Sequence, residues 1–326
     1  MTSTLSIAPE PAAALGLLTL RERLDLATRL THRLVRHVLR PANADAVARQ
    51  VAYVRTESPV RVSDVDPEQY DEVTRACATD MLVHAGPRET GGSLVRRLLG
   101  EAPAPGPGPA PGDGGAGDDG TAPAGLVIDD AERALLEQWR DGGVLGYFVV
   151  TDLLDEHAVL HNLEDDLEYR VFTGRSEIRS VALVPGLPLS GRVLPVGAAW
   201  IFAGTPAVFP PDVIEGVVRA VVALLTSSPC PAYRNPRTLA RARELVADHH
   251  RAFRGLFGDV VVEGTASHVL DCCLRFKDRI GAPAEEFVLF GALRDMRWLP
   301  DDAADPDDMT FALVHHPVRG LRMLDW

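Results

Sequence analysis

The chain of 326 residues is long enough for two or three domains, and its 46% hydrophobic content is typical of a folded protein. Its formal net charge of -13 at pH 7 disfavours binding to a nucleic acid through the phosphate backbone, because that mode needs excess positive charge. Lys277 is the only lysine, which excludes a phosphate-binding loop with its Gly-Lys pair and a kinase-type lysine. Charged residues surround Lys277, so we expect it at the surface, in contact with solvent.

Targeting signals are not evident in the sequence. The first 18 residues have no basic segment ahead of their short apolar run, and the most apolar later run, 213–225, is interrupted by Glu215 and Arg219. The four cysteines fit a reducing compartment, where thiols do not form a disulfide framework. These features predict a cytoplasmic protein with no membrane partner.

Helices are predicted throughout the first 100 residues. The first begins at a capping-box pattern, Thr19 with Glu22, and apolar residues recur at helical spacing up to residue 40. Further helices are predicted over 43–55, 67–86 and 93–97. This pattern predicts a small N-terminal helical domain over residues 1–100.

The composition changes between residues 101 and 125, where Pro, Gly, Ala and Asp dominate and no large apolar residue occurs. Such a segment cannot bury enough apolar surface to offset the entropy of ordering. We predict a disordered linker over 101–125, which separates the helical domain from a second domain over 126–326.

Short strands separated by turn residues are predicted between residues 144 and 209, the β-rich core of the second domain. A helix over 129–141, stopped by Gly142 and Gly143, leads into this core. Strands are predicted over 145–153, 158–163, 168–173, 178–184, 191–195 and 198–203. Their spacing predicts a curled antiparallel sheet or a small barrel. Apolar residues occupy both faces of the first and last strands, so we expect both faces to be at least partly covered.

Helices flank this core on its C-terminal side as well. They are predicted over 212–225, 235–258 and 267–280, with a short strand over 259–263 and a closing hairpin of strands over 309–314 and 321–326. The predicted fold class is therefore α+β: a small N-terminal helical domain, a linker, and a small antiparallel sheet or barrel flanked by helices, with a C-terminal hairpin.

Candidate catalytic residues lie on the last predicted helices. Cys272 and His268 are four residues apart on one helix, which suits two ligands of one metal ion or a thiol nucleophile with a histidine base. His249 and His250 on the preceding helix could supply more ligands or the base. The sequence has no Cys-x-x-Cys and no His-Glu-x-x-His pattern, so we favour ordinary half-buried cysteines and surface histidines, and predict no metal and no cofactor.

Aromatic residues are concentrated within and beside the β-rich core. Core packing explains such a group, but pockets that bind ligands are also lined by aromatic side chains. Trp200, Phe202, Tyr147 and Tyr169 are therefore the candidate ligand-binding residues. The predicted site is a groove between the last strand of the core and the helix over 235–257.

Several short motifs in the second domain resemble one known set of proteins. The motifs are Gly146-Tyr147-Phe148-Val149, Tyr169-Arg170-Val171, Gly191-Arg192-Val193-Leu194-Pro195, Trp200-Ile201-Phe202-Ala203-Gly204, His250-Arg251-Ala252-Phe253 and the closing hairpin. From about residue 139 on, the sequence resembles uncharacterised bacterial proteins that often accompany a zinc-binding motif of the kind found at the C-terminus of the SecA translocation ATPase. The resemblance implies a shared fold and no catalytic residue, and that zinc motif is absent from this sequence.

Two hypotheses for function follow. The first is a non-catalytic binding or adaptor protein, in which the β-rich domain presents an apolar face or a sheet edge to a protein or peptide partner. The alternative is a small-molecule enzyme of a specialised bacterial pathway that uses Cys272 or the nearby histidines. A nucleic-acid partner is disfavoured by charge, and the sequence leaves the oligomeric state open.

Overall fold

The computed structural model describes residues 4–5, 13–57, 67–85, 93–100, 126–173, 183–227, 229–281 and 310–325. The α-helices are α1 (Ala13–Gly16), α2 (Leu20–Val38), α3 (Ala44–Glu57), α4 (Pro67–Asp80), α5 (Leu94–Leu98), α6 (Asp130–Gly142), α7 (Ile214–Ser227), α8 (Pro236–Phe257) and α9 (Ala266–Ile280). The strands are β1 (Thr4–Leu5), β2 (Val144–Leu154), β3 (His157–Asn162), β4 (Leu167–Phe172), β5 (Pro188–Val196), β6 (Ala199–Phe202), β7 (Ala207–Val208), β8 (Val261–Thr265), β9 (Thr310–His316) and β10 (Gly320–Asp325).

This content confirms the predicted α+β class and most of the predicted elements. The linker predicted over 101–125 lies outside the described residues, as does most of the strand predicted over 178–184. No helix among the described ranges is both long enough and apolar enough to cross a bilayer.

Five strands close a small barrel. β2 pairs with β3 and with β5, β3 pairs with β4, and β5 pairs with β6, all in antiparallel orientation. A parallel pair between β4 and β6 completes the ring, with Val171 opposite Trp200 and Phe172 opposite Ile201. The predicted barrel is thus present as a closed ring of five strands.

Alternation along the strands divides the barrel side chains between two hydrophobic cores. Phe148, Tyr169 and Trp200 belong to the core that fills the barrel interior. Leu194 and Ile201 point outward and pack against residues of α2, α5 and α6. Both faces of the last strand are therefore covered, as the sequence predicts, because the helices pack on the outside of the barrel.

Side-chain contacts join the N-terminal helices to the barrel domain. Thr19 and Glu22 cap α2 reciprocally, as predicted, and Asp129 and Glu132 do the same for α6. Arg33 on α2 forms an ion pair with Glu132. The helices before residue 100 thus share a core with the barrel, while the predicted domain boundaries stay a prediction from sequence.

The C-terminal part of the chain builds a second, smaller sheet. β8, β9 and β10 form three antiparallel strands in the order β10-β9-β8. α8 and α9 pack against them around a core that contains Phe253, Phe276 and Phe311. Gly258 and Gly281, with φ of +79° and +68°, lie just past the ends of α8 and α9, the position where a left-handed residue ends a helix.

Lys277 corrects one expectation from the sequence. Its side chain is buried, with 1% of the residue exposed, whereas its charged neighbours suggested a solvent-exposed position. Helical periodicity explains the difference: Cys273, Phe276 and Lys277 lie on the buried face of α9, and the adjacent Arg275 and Asp278 lie on the exposed face. The charged residues next to Lys277 in sequence therefore lie on a different face of the helix from Lys277 itself.

Candidate functional site

Only one side of β4 is paired along the whole strand. β3 pairs with β4 from Leu167 to Phe172. On the opposite side, β6 pairs only with Val171 and Phe172, because β6 begins at Ala199, directly after a tight turn at Gly197. The backbone polar groups in the first half of β4 therefore need another partner on that side.

β1 supplies that partner. It lies parallel to β4, with Thr4 opposite Leu167 and Leu5 opposite Glu168. We call the backbone of Leu167 and Glu168 on the side away from β3 the β4 edge. A strand added to such an edge is held by hydrogen bonds between backbone amides, which require an extended segment and no particular side chain.

The turn before β4 is held by side chains that bond to the backbone. The Asn162 Oδ1 atom accepts a hydrogen bond from the Glu164 N–H at 2.8 Å, and the Asp165 Oδ1 atom accepts one from the Leu167 N–H at 3.1 Å. The Tyr169 hydroxyl donates to the other carboxylate oxygen of Asp165. These bonds fix the start of β4 and so preorganise the edge beside it.

Two buried carboxyl groups lie in the same turn. Burial raises the pKa of Glu164 to about 7, and a hydrogen bond from the Tyr147 backbone opposes that shift. Burial also raises the pKa of Asp165, although the Tyr169 hydroxyl and the charge of Arg234 act in the opposite direction. Desolvation disfavours the charged form of both groups, because burial removes the water that stabilises a carboxylate.

Charged side chains follow the edge in a fixed order. Asp166 is exposed at the end of the turn, with a carboxylate oxygen 3.4 Å from the His161 Nε2 atom. Glu168 and Arg170 point outward, since the odd-numbered residues of β4 fill the barrel interior. The surface along β4 therefore changes from acidic at Asp166 and Glu168 to basic at Arg170.

The structure places three of the four predicted ligand-binding residues inside the barrel. Trp200, Phe202 and Tyr169 are 0%, 5% and 0% exposed, and the rings of Tyr169 and Trp200 meet edge to face at 4.9 Å. The Arg234 guanidinium lies 5.8 Å from the centre of the Trp200 ring. These three aromatic residues are neighbours in a core, and their role in ligand binding stays a prediction.

Tyr147, the fourth, lies on the outside of the barrel. Its ring is half-buried and stacks on Phe209, with 6.3 Å between the ring centres. Burial raises the pKa of its hydroxyl well above the ordinary value, and the nearby Glu164 adds to that shift. The structure thus separates Tyr147 from the other three candidates by the barrel wall.

Cys272 and His268 are brought together on α9, with 3.7 Å between Sγ and Nε2. Thr265 caps this helix by accepting a hydrogen bond from the His268 N–H. Cys272 is 2% exposed, and burial raises the pKa of its thiol. A protonated thiol is a poor nucleophile. The thiol and the imidazole are therefore close together, but burial favours the unreactive form of the thiol.

His250 contacts a third histidine, His315, which was not among the candidate residues from the sequence. The His250 Nδ1 atom lies 2.8 Å from the carbonyl oxygen of His315, which can only accept, so His250 donates. The His249 ring packs edge to face on Phe276 at 6.3 Å. His315 is 1% exposed, and burial lowers its pKa to about 4, with smaller effects from His250 and His249.

A partly buried ion pair, also missed from the sequence, joins α4 to the barrel. The Arg192 Nε atom on β5 lies 2.9 and 3.1 Å from the two carboxylate oxygens of Asp80. His84, in the π-helical turn Met81–Ala85 that follows α4, has a pKa lowered by burial to about 4. Burial raises the pKa of Cys77 to about 11. The only signal in the sequence was Arg192 within an otherwise apolar strand, because its partner is 112 residues away.

Metal ligands do not cluster in the part of the chain that the structure describes. No group of three or more His, Cys, Asp or Glu side chains there is placed to hold a metal ion. The Cys272–His268 pair would therefore need ligands from elsewhere to complete a tetrahedral site.

Comparisons with known protein families, with curated proteins and with solved structures found no match to this chain. The resemblance to the bacterial proteins described above therefore stays a prediction from sequence. Function must be argued from the geometry of the sites themselves.

Proposed function

We propose that this protein is a non-catalytic binding protein that takes an extended segment of a protein partner as an additional strand at the β4 edge. The observation that carries this proposal is the parallel pairing of β1 with β4 at Thr4–Leu167 and Leu5–Glu168. β1 shows which backbone direction and register the edge accepts. The partner class is a polypeptide, because the ladder consists of bonds between backbone amides.

The charges around the edge indicate which segments bind best. A bound strand with the register of β1 has its first paired residue opposite Leu167. The residue just before that one then lies beside the turn that contains Asp166. The later residues of the strand run past Arg170 on β4. We therefore expect tighter binding by a segment with Lys or Arg before the paired residues and with Asp or Glu after them. Residues 1–10 of the chain contain no basic residue, so such a partner has an advantage over β1.

The test uses the full chain with β1 prevented from pairing. In a Thr4→Pro/Leu5→Pro variant, proline removes two N–H donors from the segment and so frees the edge. Fluorescence anisotropy would follow a labelled peptide with the sequence of residues 1–10, and a second peptide in which Ser3 is replaced by Lys. The control peptide carries proline at positions 4 and 5.

We expect the variant to bind the first peptide at least about tenfold more tightly than the wild type, in which β1 competes within the chain. The Ser3→Lys peptide should bind more tightly still, and this gain should disappear with Asp166→Asn and Glu168→Gln. The proline-substituted peptide should not bind. Equal binding of all three peptides, or none by any, would contradict strand addition.

A second function, a small-molecule enzyme that uses a thiol, is favoured by one contact, the 3.7 Å separation of Cys272 Sγ and His268 Nε2. The raised pKa of the thiol argues against it. Rapid alkylation of Cys272 by iodoacetamide would favour the enzyme.

A further inference from the structure

Two strands lie on the same side of β4, one after the other. β3 pairs with β4 along its whole length, so β1 and β6 both occupy the opposite side. Both run parallel to β4, and Leu5 lies opposite Glu168 while Trp200 lies opposite Val171. β1 and β6 are therefore arranged end to end, like two pieces of one interrupted strand.

The interruption between these two strands is short. β6 begins at Ala199, directly before Trp200, and the register places Ala199 opposite Arg170. Between the described residues Leu5 and Ala199, one position of the ladder is left, the position opposite Tyr169. A strand rises about 3.3 Å per residue, so this position has room for a single residue.

A fixed turn closes the C-terminal end of this space. Gly197 and Ala198 form the two-residue loop between β5 and β6, and Gly197 has the positive φ, +62°, that such a loop requires. The loop extends beyond the last residue pair along the strand axis, towards the position opposite Tyr169. A Cβ atom on Gly197 would lie 3.0 Å from the Arg23 Nη1 atom, and the Arg23 Nε atom donates to the Leu18 carbonyl oxygen at 2.9 Å. The N-terminal part of α2 thus holds the turn in place.

The N-terminal end of the space is closed by the turn before β4. Asp166 has φ of +58°, in the left-handed region, which does not continue a strand. Its N–H group donates to the Asn162 carbonyl oxygen at 2.9 Å, so the chain bends here towards β3. An added segment in the register of β1 can therefore pair only at the positions opposite residues 167, 168 and 169.

We propose that the β4 edge pairs with three consecutive residues of a flexible tail or loop, and that the Gly197–Ala198 turn is the end stop at which the bound segment leaves the ladder. This inference rests on the proposed strand addition. The edge strand of another folded sheet fits poorly, because strands average about 5–6 residues and cannot bend away after three. A tail or loop can do so, and its later residues then reach the exposed Arg170 through side chains only.

The third residue of the bound segment meets the tightest packing. Residues directly opposite each other in neighbouring strands have their side chains on the same face, so this residue points to the side of Tyr169. That side is the barrel interior, where Tyr169 and Trp200 are both 0% exposed and their rings meet at 4.9 Å. A small third residue, Gly, Ala or Ser, is therefore required.

The test is an N-methylation scan with the full-length Thr4→Pro/Leu5→Pro variant. The probes are versions of the peptide of residues 1–10. N-methylation removes an amide hydrogen and keeps the side chain, and amides in a strand point alternately to its two sides, so two adjacent residues are methylated in each peptide. One peptide is methylated at positions 5 and 6, inside the three paired positions, and its matched control at positions 7 and 8, beyond the end stop.

We expect methylation at positions 5 and 6 to weaken binding at least about tenfold in fluorescence anisotropy, because a ladder hydrogen bond is lost. Methylation at positions 7 and 8 should change binding less than about twofold. In a second pair of unmethylated peptides, Ser6→Ala should bind like the parent peptide, and Ser6→Phe should bind at least about tenfold more weakly.

Two results overturn the end stop and leave strand addition in place. One is an equal loss with both methylated peptides, because the ladder would then continue past the turn. The other is tight binding of the Ser6→Phe peptide, which would show that the third position is not confined. If neither methylated peptide binds more weakly than the parent peptide, the backbone of the segment is not used, and strand addition itself is contradicted.

Discussion

Arg192 on β5 forms a largely buried ion pair with Asp80, the last residue of α4, in which Nε lies 2.9 and 3.1 Å from the two carboxylate oxygens. The side chains are 12% and 16% exposed. We expect Arg192→Met to lower the free energy of unfolding by about 3–5 kcal/mol, because it leaves a buried carboxylate without its counter-charge. Urea denaturation would measure the loss.

The same pair can be removed at lower cost if both charges go together. In the double variant Asp80→Leu/Arg192→Met, most of the lost stability should return, since no unpaired charge remains buried. Glu156→Gln is the matched control, because it breaks the exposed ion pair with Arg21 at 2.9 Å and should cost less than about 1 kcal/mol. A single variant that unfolds no more easily than the control would contradict this account of the α4 contact.

Stability should depend on pH through His315. Burial lowers its pKa from the ordinary 6.5 to about 4, so the unfolded chain takes up a proton at a higher pH than the folded protein does. The contribution of His315 to stability is therefore fully present above about pH 6.5 and is lost as the pH falls from 6.5 towards 4. The difference of about 2.5 pH units corresponds to at most about 3 kcal/mol.

His315→Phe should remove this part of the pH dependence. A phenyl ring fits between Phe253 and Phe276, whose rings lie 5.6 Å from the imidazole, and it has no proton to gain. Thermal unfolding between pH 4 and 7 would compare this variant with the wild type and with His32→Gln, a change at an exposed histidine. If His315→Phe keeps the wild-type slope, another group causes the loss of stability.

Glu164 should act on stability in the opposite direction. Burial raises its pKa from 4.5 to about 7, so the folded protein holds its proton at pH values where the unfolded chain has lost it. The free-energy cost of burying the Glu164 carboxyl group is absent below pH 4.5, and it grows as the pH rises through 7. Glu164→Gln should therefore stabilise the protein at pH 8, by at most about 3 kcal/mol, and have little effect at pH 4. Equal effects at both pH values would argue against a titrating Glu164.

The thiols should react slowly with iodoacetamide at pH 7.5. Burial raises the pKa of Cys77 to about 11 and that of Cys273 to about 12, and it also raises the pKa of Cys272, although the charge of Arg275 acts in the opposite direction. Thiolate is the reactive form, so all three should react more slowly than a free cysteine. Mass spectrometry in a Cys230→Ser background would report each site, and fast labelling of Cys272 would favour the enzyme hypothesis.

Local sequence signals predicted the elements well. The capping box of Thr19 and Glu22 and the alternation of Trp200 and Ile201 between two faces are both present. Such signals act between residues a few positions apart in sequence. The barrel, in contrast, closes through contacts between residues that are far apart in sequence. The parallel pair of β4 and β6 and the Asp80–Arg192 ion pair join distant segments, and neither leaves a periodic pattern.

The candidate site was the hardest part to predict. β1 has only two residues, too few to show alternation, and the β4 edge exists only because β6 begins late, at Ala199. The aromatic residues that suggested a ligand site, Trp200 and Tyr169 among them, fill the barrel interior. Composition shows that a residue is apolar but does not show which side of a closed barrel it will occupy.

Amide hydrogen exchange at the β4 edge tests the central claim most directly. We expect the β4 backbone from Glu168 to Tyr169 to exchange faster in the Thr4→Pro/Leu5→Pro variant than in the wild type, because β1 no longer covers that side. Adding the peptide of residues 1–10 should restore the protection there, while the amides of Val171 and Phe172, which lie beside β6, should not change. Peptide binding that leaves the exchange of the β4 edge unchanged, or that protects a different surface, would contradict strand addition at this site.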